Sequence, residues 1–121
     1  MKGSVKKTDT KTDAIASVVG IDVSMDKMVA LSAEFHGMDA GKAVSTLSFM
    51  NTKAAAILLK LTKACIANAE NNLNLNIDKL FISRLCVGRA YALKRFSPRG
   101  RGKSSSIQKV RCSVFLTLSV R

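Results

Sequence analysis

From Lys79 to Arg121 the chain carries eleven Lys and Arg and not one Asp or Glu. Such a segment cannot neutralise itself, and crowded cations repel unless an external anion sits among them. The residues before it hold nine basic and eight acidic side chains, so that part is nearly neutral. The chain therefore divides into a balanced body and a cationic arm, and the arm holds most of the net charge of +12. This imbalance points to a polyanionic partner, nucleic acid first and an anionic membrane surface second.

The arm also has a readable local pattern. Leu80 to Val87 is apolar and β-branched enough for a strand, and Val110, Cys112, Val114, Leu116, Leu118 and Val120 alternate strictly, as a half-buried strand does. Between them lies Ser97-Pro98-Arg99-Gly100-Arg101-Gly102-Lys103-Ser104, a run of turn formers and charges. Two strands around such a tip predict a β-hairpin over 84–111. Two arms of about fourteen residues would reach about 45 Å, further than a small body can cover. A bare two-stranded ribbon is marginal in water, so a partner is expected to order it.

The length of 121 residues suits one domain. Residues 1–12 are polar and without period and read as a flexible basic tail, leaving 13–121 as the domain. Ala14 to Val23 predicts a strand. Ser24, whose hydroxyl can accept a free backbone N–H, starts a helix from Met25 to Phe35 that Gly37 stops. A second helix fits Asp39 to Ser48, with Ala43, Val44 and Leu47 on one side. The third and longest runs from Lys53 to about Glu70, with Ala54, Ile57, Leu58, Leu61, Ala64, Cys65 and Ala69 on one arc. Lys53, Lys60 and Lys63 share another arc. Asn71, Asn72 and Asn74 are expected to end it in a turn.

Enzyme chemistry is absent from the sequence. The one histidine, His36, stands beside a helix-ending glycine, and no carboxylate pair, nucleophile elbow or P-loop appears. Cys65, Cys86 and Cys112 have no metal-binding spacing and read as small buried hydrophobes; no cofactor or metal is expected. Asp9, Asp13 and Asp22 interrupt what would be the apolar part of a secretory leader, and the lysines of the third helix argue against a membrane span. A soluble intracellular protein is the expectation.

What remains is cation chemistry suited to phosphates. Lys94, Arg95, Arg99, Arg101, Lys103, Lys109 and Arg111 are the candidate residues, since a guanidinium donates two parallel hydrogen bonds to a phosphate. Gly100 and Gly102 leave the backbone open to close approach. Tyr91 and Phe96 either stack on bases or pack on the ribbon.

Two longer motifs carry a family resemblance. Ala64-Cys65-Ile66-Ala67-Asn68-Ala69-Glu70-Asn71-Asn72 is similar to the A-I-A-N-A-E-N-N segment of the large-subunit ribosomal protein family numbered twenty-two, in its bacterial form. Leu93-Lys94-Arg95-Phe96-Ser97-Pro98-Arg99-Gly100-Arg101-Gly102 resembles that family's K-R-F-x-P-R-A-R-G segment. The likeness covers Gly41 to about Val120. It implies an α+β fold, three helices on a small three-stranded antiparallel sheet with one long extended β-hairpin. It implies binding to large-subunit (23S-type) rRNA in early assembly, with neighbouring ribosomal proteins and the nascent polypeptide as further partners. The body would sit near the exit of the polypeptide tunnel, inside a ribosome of the cytoplasm or an organelle. Leu93, Lys94 and Arg95 match the triplet near the tunnel constriction. Lys27, Lys53, Lys60 and Arg89 join the arm cations as expected rRNA contacts. Ser24-Met25-Asp26-Lys27 departs from the family's S-P-R-K by an acid, and Gly88-Arg89-Ala90-Tyr91 departs from D-E-G-P by losing acids and gaining Arg89. A free nucleic-acid-binding regulator is the alternative that composition alone leaves open.

Overall fold

Strict alternation near the C-terminus is the pattern that organises the molecule. The computed structural model describes residues 13–121, so the expected tail 1–12 lies outside it. In chain order the elements are β1 (Ala14–Ile21), α1 (Met25–Phe35), α2 (Ala40–Phe49), α3 (Lys53–Leu73), β2 (Leu80–Pro98) and β3 (Ser104–Val120). The strands form one antiparallel sheet in the order β1-β3-β2. Cys112, Val114, Leu116 and Leu118 of β3 are buried against the helices, as their period of two requires. α3 packs on β1 and β3, α1 on β2, and α2 on α3. The result is the expected set of three helices on a three-stranded antiparallel sheet with an extended hairpin.

Local chemistry accounts for most element ends. Met25–Phe35 is a helix as expected, but the Ser24 hydroxyl makes no capping bond; its carbonyl accepts from Met28 N–H at 3.3 Å instead. Gly37 follows the helix at φ +79°, a conformation that suits a residue without Cβ. Its N–H bonds Ile82 O, and Ile82 N–H bonds Met38 O, both at 2.9 Å. These two bonds cover the outer edge of β2, which would otherwise expose unpaired backbone. Thr52 caps α3 by accepting from Ala55 N–H at 3.2 Å.

Three sequence expectations need correction. Asn71 and Asn72 do not end α3; the helix continues to Leu73, and Asn74 closes it in the left-handed region at φ 50°. Ala64 is exposed, whereas Ala55 and Thr62 are buried. The buried arc centres on Leu58 and Cys65, where α3 meets the sheet, and Thr62 is accommodated because its hydroxyl donates to Leu58 O at 2.8 Å. Cys86 is exposed rather than buried. The register runs from Ile82↔Leu118 to Arg84↔Thr117, leaving Ser83 as an extra residue. That bulge reverses which side the following residues face, so Leu85 turns toward the core and Arg84 and Cys86 away from it.

The core holds Met28, Phe35, Leu47, Leu58, Leu80, Ile82, Leu116 and Leu118, all essentially removed from water. Nothing comparable exists further out. β1 pairs with β3 no further than Ile21↔Cys112, and from Tyr91↔Arg111 to Pro98↔Ser104 the ladder has two strands only. No residue from 91 to 111 is buried. Opening this ribbon exposes little apolar surface, so it opens locally at low cost. Hydrogen exchange on the free protein is expected to show fast exchange across 91–109 and strong protection in the middle of α3. Equal protection in both would contradict a ribbon without a core.

Candidate nucleic-acid interface

The cationic residues are sorted by the ladder. Directly opposed residues of an antiparallel pair share a face, and β3 carries no bulge, so its odd and even positions define two faces along its whole length. The even positions face the helices. Beyond the body this face carries Lys94 opposite Gln108 and Phe96 opposite Ser106. The other face carries Tyr91 opposite Arg111, Leu93 opposite Lys109 and Arg95 opposite Ile107. The triplet Leu93, Lys94 and Arg95 is therefore split, with Lys94 turned away from the other two.

The tip is closed by Arg99 N–H donating to Lys103 O at 2.6 Å. Between them Gly100–Gly102 forms one tight turn in which Arg101 adopts φ 58°, ψ 35°. A left-handed arginine costs about 1 kcal/mol relative to glycine, and Arg101 occupies the middle of the turn with its side chain exposed. Arg99, Arg101 and Lys103 are all exposed there. Phe96 is 76% exposed.

At the root the picture changes. Arg111 and Lys53 both pair with Asp22, Lys53 at 3.0 Å. Arg111 is the one candidate cation that is mostly covered, its side chain 20% exposed. Just before Asp22, the β1–β3 register skips Gly20. Gly20 has φ +80°, and a Cβ there would stand 3.0 Å from the Tyr91 hydroxyl. A bulge, a positive φ and a ring lying close against the backbone all require glycine at this position. Asp22 thus ties the end of β1, the start of α3 and the base of the ribbon together. The sequence carries no signal for this tie beyond the presence of an acid after the strand.

Among the described residues Lys27, Lys60, Arg89, Lys94, Arg95, Arg99, Arg101, Lys103 and Lys109 are exposed, and the ion pairs found involve none of them. Arg121, at the opposite end of β3, pairs with Asp39 at 3.3 Å and lies over the Phe81 ring. Lys27 and Lys53 border an open groove of about 630 Å³ between the starts of α1 and α3, along with Asp22 and Glu34. No cluster of three metal-ligating side chains occurs among the described residues, and no described helix is long and apolar enough to cross a membrane.

Three helices on a three-stranded antiparallel sheet, with a long cationic ribbon, define a small basic α+β protein. A model of the family described as Ribosomal protein L22p/L17e matches residues 16–119, and the chain belongs to that family. It is similar to large ribosomal subunit protein uL22 of Rickettsia felis, 33% identical over 111 residues, covering 92% of this chain and 93% of the relative. The uL22 proteins of Rickettsia akari and Rickettsia rickettsii are 32% identical over the same length and shares of the chains. The chain is accordingly a constituent of the large ribosomal subunit.

The tie at the root has a measurable signature. Hydrogen bonds from Lys53 and Arg111, with their charges, hold the Asp22 carboxyl below its ordinary value of 3.8. An acid whose folded value is lowered stabilises the fold above its unfolded value and loses that contribution as pH falls through the folded one. NMR titration is expected to place Asp22 below 3.8, and Lys53→Ala to move it upward. An Asp22 that titrates at its ordinary value in both proteins would mean the tie does not form.

Proposed function

We propose that the chain binds large-subunit (23S-type) rRNA through its hairpin and body, assists early subunit assembly, and lines the polypeptide exit tunnel with the ribbon. The observation that carries this reading is the acid-free ribbon, whose cations from Lys94 to Lys109 form no ion pair among the described residues and whose two faces have no core to cover them. Lys94, Arg95, Arg99, Arg101, Lys103 and Lys109 would contact phosphates along the ribbon. Lys27, Lys53, Lys60, Arg89 and Arg111 would do so around the body, Lys53 and Arg111 by exchanging Asp22 for a phosphate. Neighbouring ribosomal proteins and the nascent polypeptide are further partners, and no membrane is involved.

Binding of this kind releases one counterion for roughly each phosphate contacted. Affinity for large-subunit rRNA should therefore fall steeply with salt. The Arg99→Ala, Arg101→Ala double variant should flatten the slope of log K against log salt by about 1.5. An unchanged slope would mean that the tip touches no phosphate. In a lysate the tagged chain should sediment with large subunits; a chain that stays free would fit a regulator instead.

The tunnel assignment makes a separate demand. Leu93 and Lys94 lie within the two-stranded ribbon, outside the core, so deleting Leu93, Lys94 and Arg95 should spare the body. Ribosomes carrying the deletion are expected to assemble and to respond differently to macrolides, which block a nascent chain only where the passage is narrow. Normal subunit yield with an unchanged drug response would remove the triplet from the constriction.

A further inference from the structure

Among the described residues, no other element covers the face of the sheet turned away from the helices. Its register sets three rows side by side: Ile15, Thr117 and Arg84; then Ser17, Phe115 and Cys86; then Val19, Ser113 and Gly88. Ile15 is 63% exposed, Val19 64% and Phe115 47%. Arg84 is exposed and is the only charged residue in the three rows. Beside Phe115 the ground is flat, because Gly88 has no side chain and the Ser113 hydroxyl is turned down onto Gly88 O at 3.3 Å. The same face continues along β3 past Arg111, which is mostly covered and paired with Asp22, into the ribbon through Tyr91, Leu93 with Lys109 and Arg95 with Ile107. Arg84, Phe115, Tyr91, Lys109 and Arg95 thus share one face that runs from the body into the ribbon.

We propose that this helix-free face is a stacking platform for unpaired rRNA bases, with Phe115 beneath a base and Arg84 on an adjoining phosphate. The proposal rests on the rRNA-binding reading and deepens it. Single-stranded RNA is held by this combination: an aromatic ring takes the π-face of any base while a nearby cation takes the backbone. Charge decides against a protein partner. The rows contain no acid, one arginine and several hydroxyls, and their large exposed apolar side chains number only three, far from the packed apolar centre of a stable protein interface. Tyr91 of β2, opposite Arg111 four positions from Phe115 along β3, offers a second ring on the same face about 13 Å along the strand.

The test uses the full chain and a large-subunit rRNA transcript. Phe115→Ala and Phe115→Leu are expected to weaken binding about fivefold to a hundredfold, and Phe115→Tyr to leave it nearly unchanged. Leucine keeps the apolar area and loses only the ring, so a contact with protein would tolerate it. Phe115 is half exposed, so these variants should keep the fold, as circular dichroism can check. Cys86 supplies a second readout in the unaltered chain. Cys65 and Cys112 are fully buried, and burial pushes the Cys65 thiol up to about 11, so a tethered iron-EDTA group attaches at Cys86. Radicals generated there should cleave rRNA. The platform is overturned if the leucine variant binds like the parent while the Arg99→Ala, Arg101→Ala variant is weakened, an outcome that leaves rRNA binding standing. It is also overturned if a crosslinker on Cys86 in assembled subunits captures only a neighbouring protein. If the parent chain itself fails to bind the transcript, both readings fall.

Discussion

Every other part of the molecule leans on β3. Its inner row, Cys112, Val114, Leu116 and Leu118, is the floor on which α3 lies, and both neighbouring strands take their hydrogen bonds from it. Fully burying a valine or leucine contributes about 1.5–3 kcal/mol, so this row anchors the sheet and, through it, the helices. The same strand then leaves the body and becomes half of the ribbon. A two-stranded ribbon has little stability of its own; here it begins as the continuation of strands already fixed in a core.

The bulges decide where the ribbon points and what it shows. All three extra residues, Gly20, Ser83 and Ala90, belong to the neighbours of β3 and none to β3 itself. Two of them fall at the same level, around Cys112, where β1 stops and the ribbon begins. Bulges sharpen the local twist and re-aim the residues beyond them. At this level Tyr91 approaches Gly20 and Asp22 holds Arg111 and Lys53. One carboxylate thus secures the base of a ribbon whose outer cations, from Lys94 to Lys109, form no ion pair among the described residues.

This division explains how a nearly neutral body and a cationic arm serve one purpose. The body holds the packed core, to which the first part of β2 and the second half of β3 also contribute. The ribbon has no core of its own, so on the proposed reading its ordering and its binding would be coupled. Opposite faces of the ribbon present different chemistry, Lys94 with Phe96 on one and Arg95, Lys109 and Tyr91 on the other. On the proposed reading, RNA would meet cations on both faces of the ribbon.

Much of this was legible in the residues themselves. The loss of acids after Asp78, the alternation from Val110 to Val120, the breaker-rich tip and the helical spacing around Leu58 and Cys65 are local patterns, and local patterns fix strands, turns and amphipathic helices directly. The side on which a residue ends up is another matter. Simple alternation from Leu80 would turn Arg84 and Cys86 inward with Ile82, and only the pairing with Leu118 and Thr117 makes Ser83 a bulge and turns them out. Likewise Arg111 reads as one more phosphate ligand until β1 brings Asp22 beside it from the other end of the chain. Strand register and ion pairing are contacts between residues far apart in sequence, settled by which packing buries the most apolar surface. The sequence by itself therefore determined the elements and the charge of the arm, and the tertiary structure alone decided which face each cation and aromatic presents.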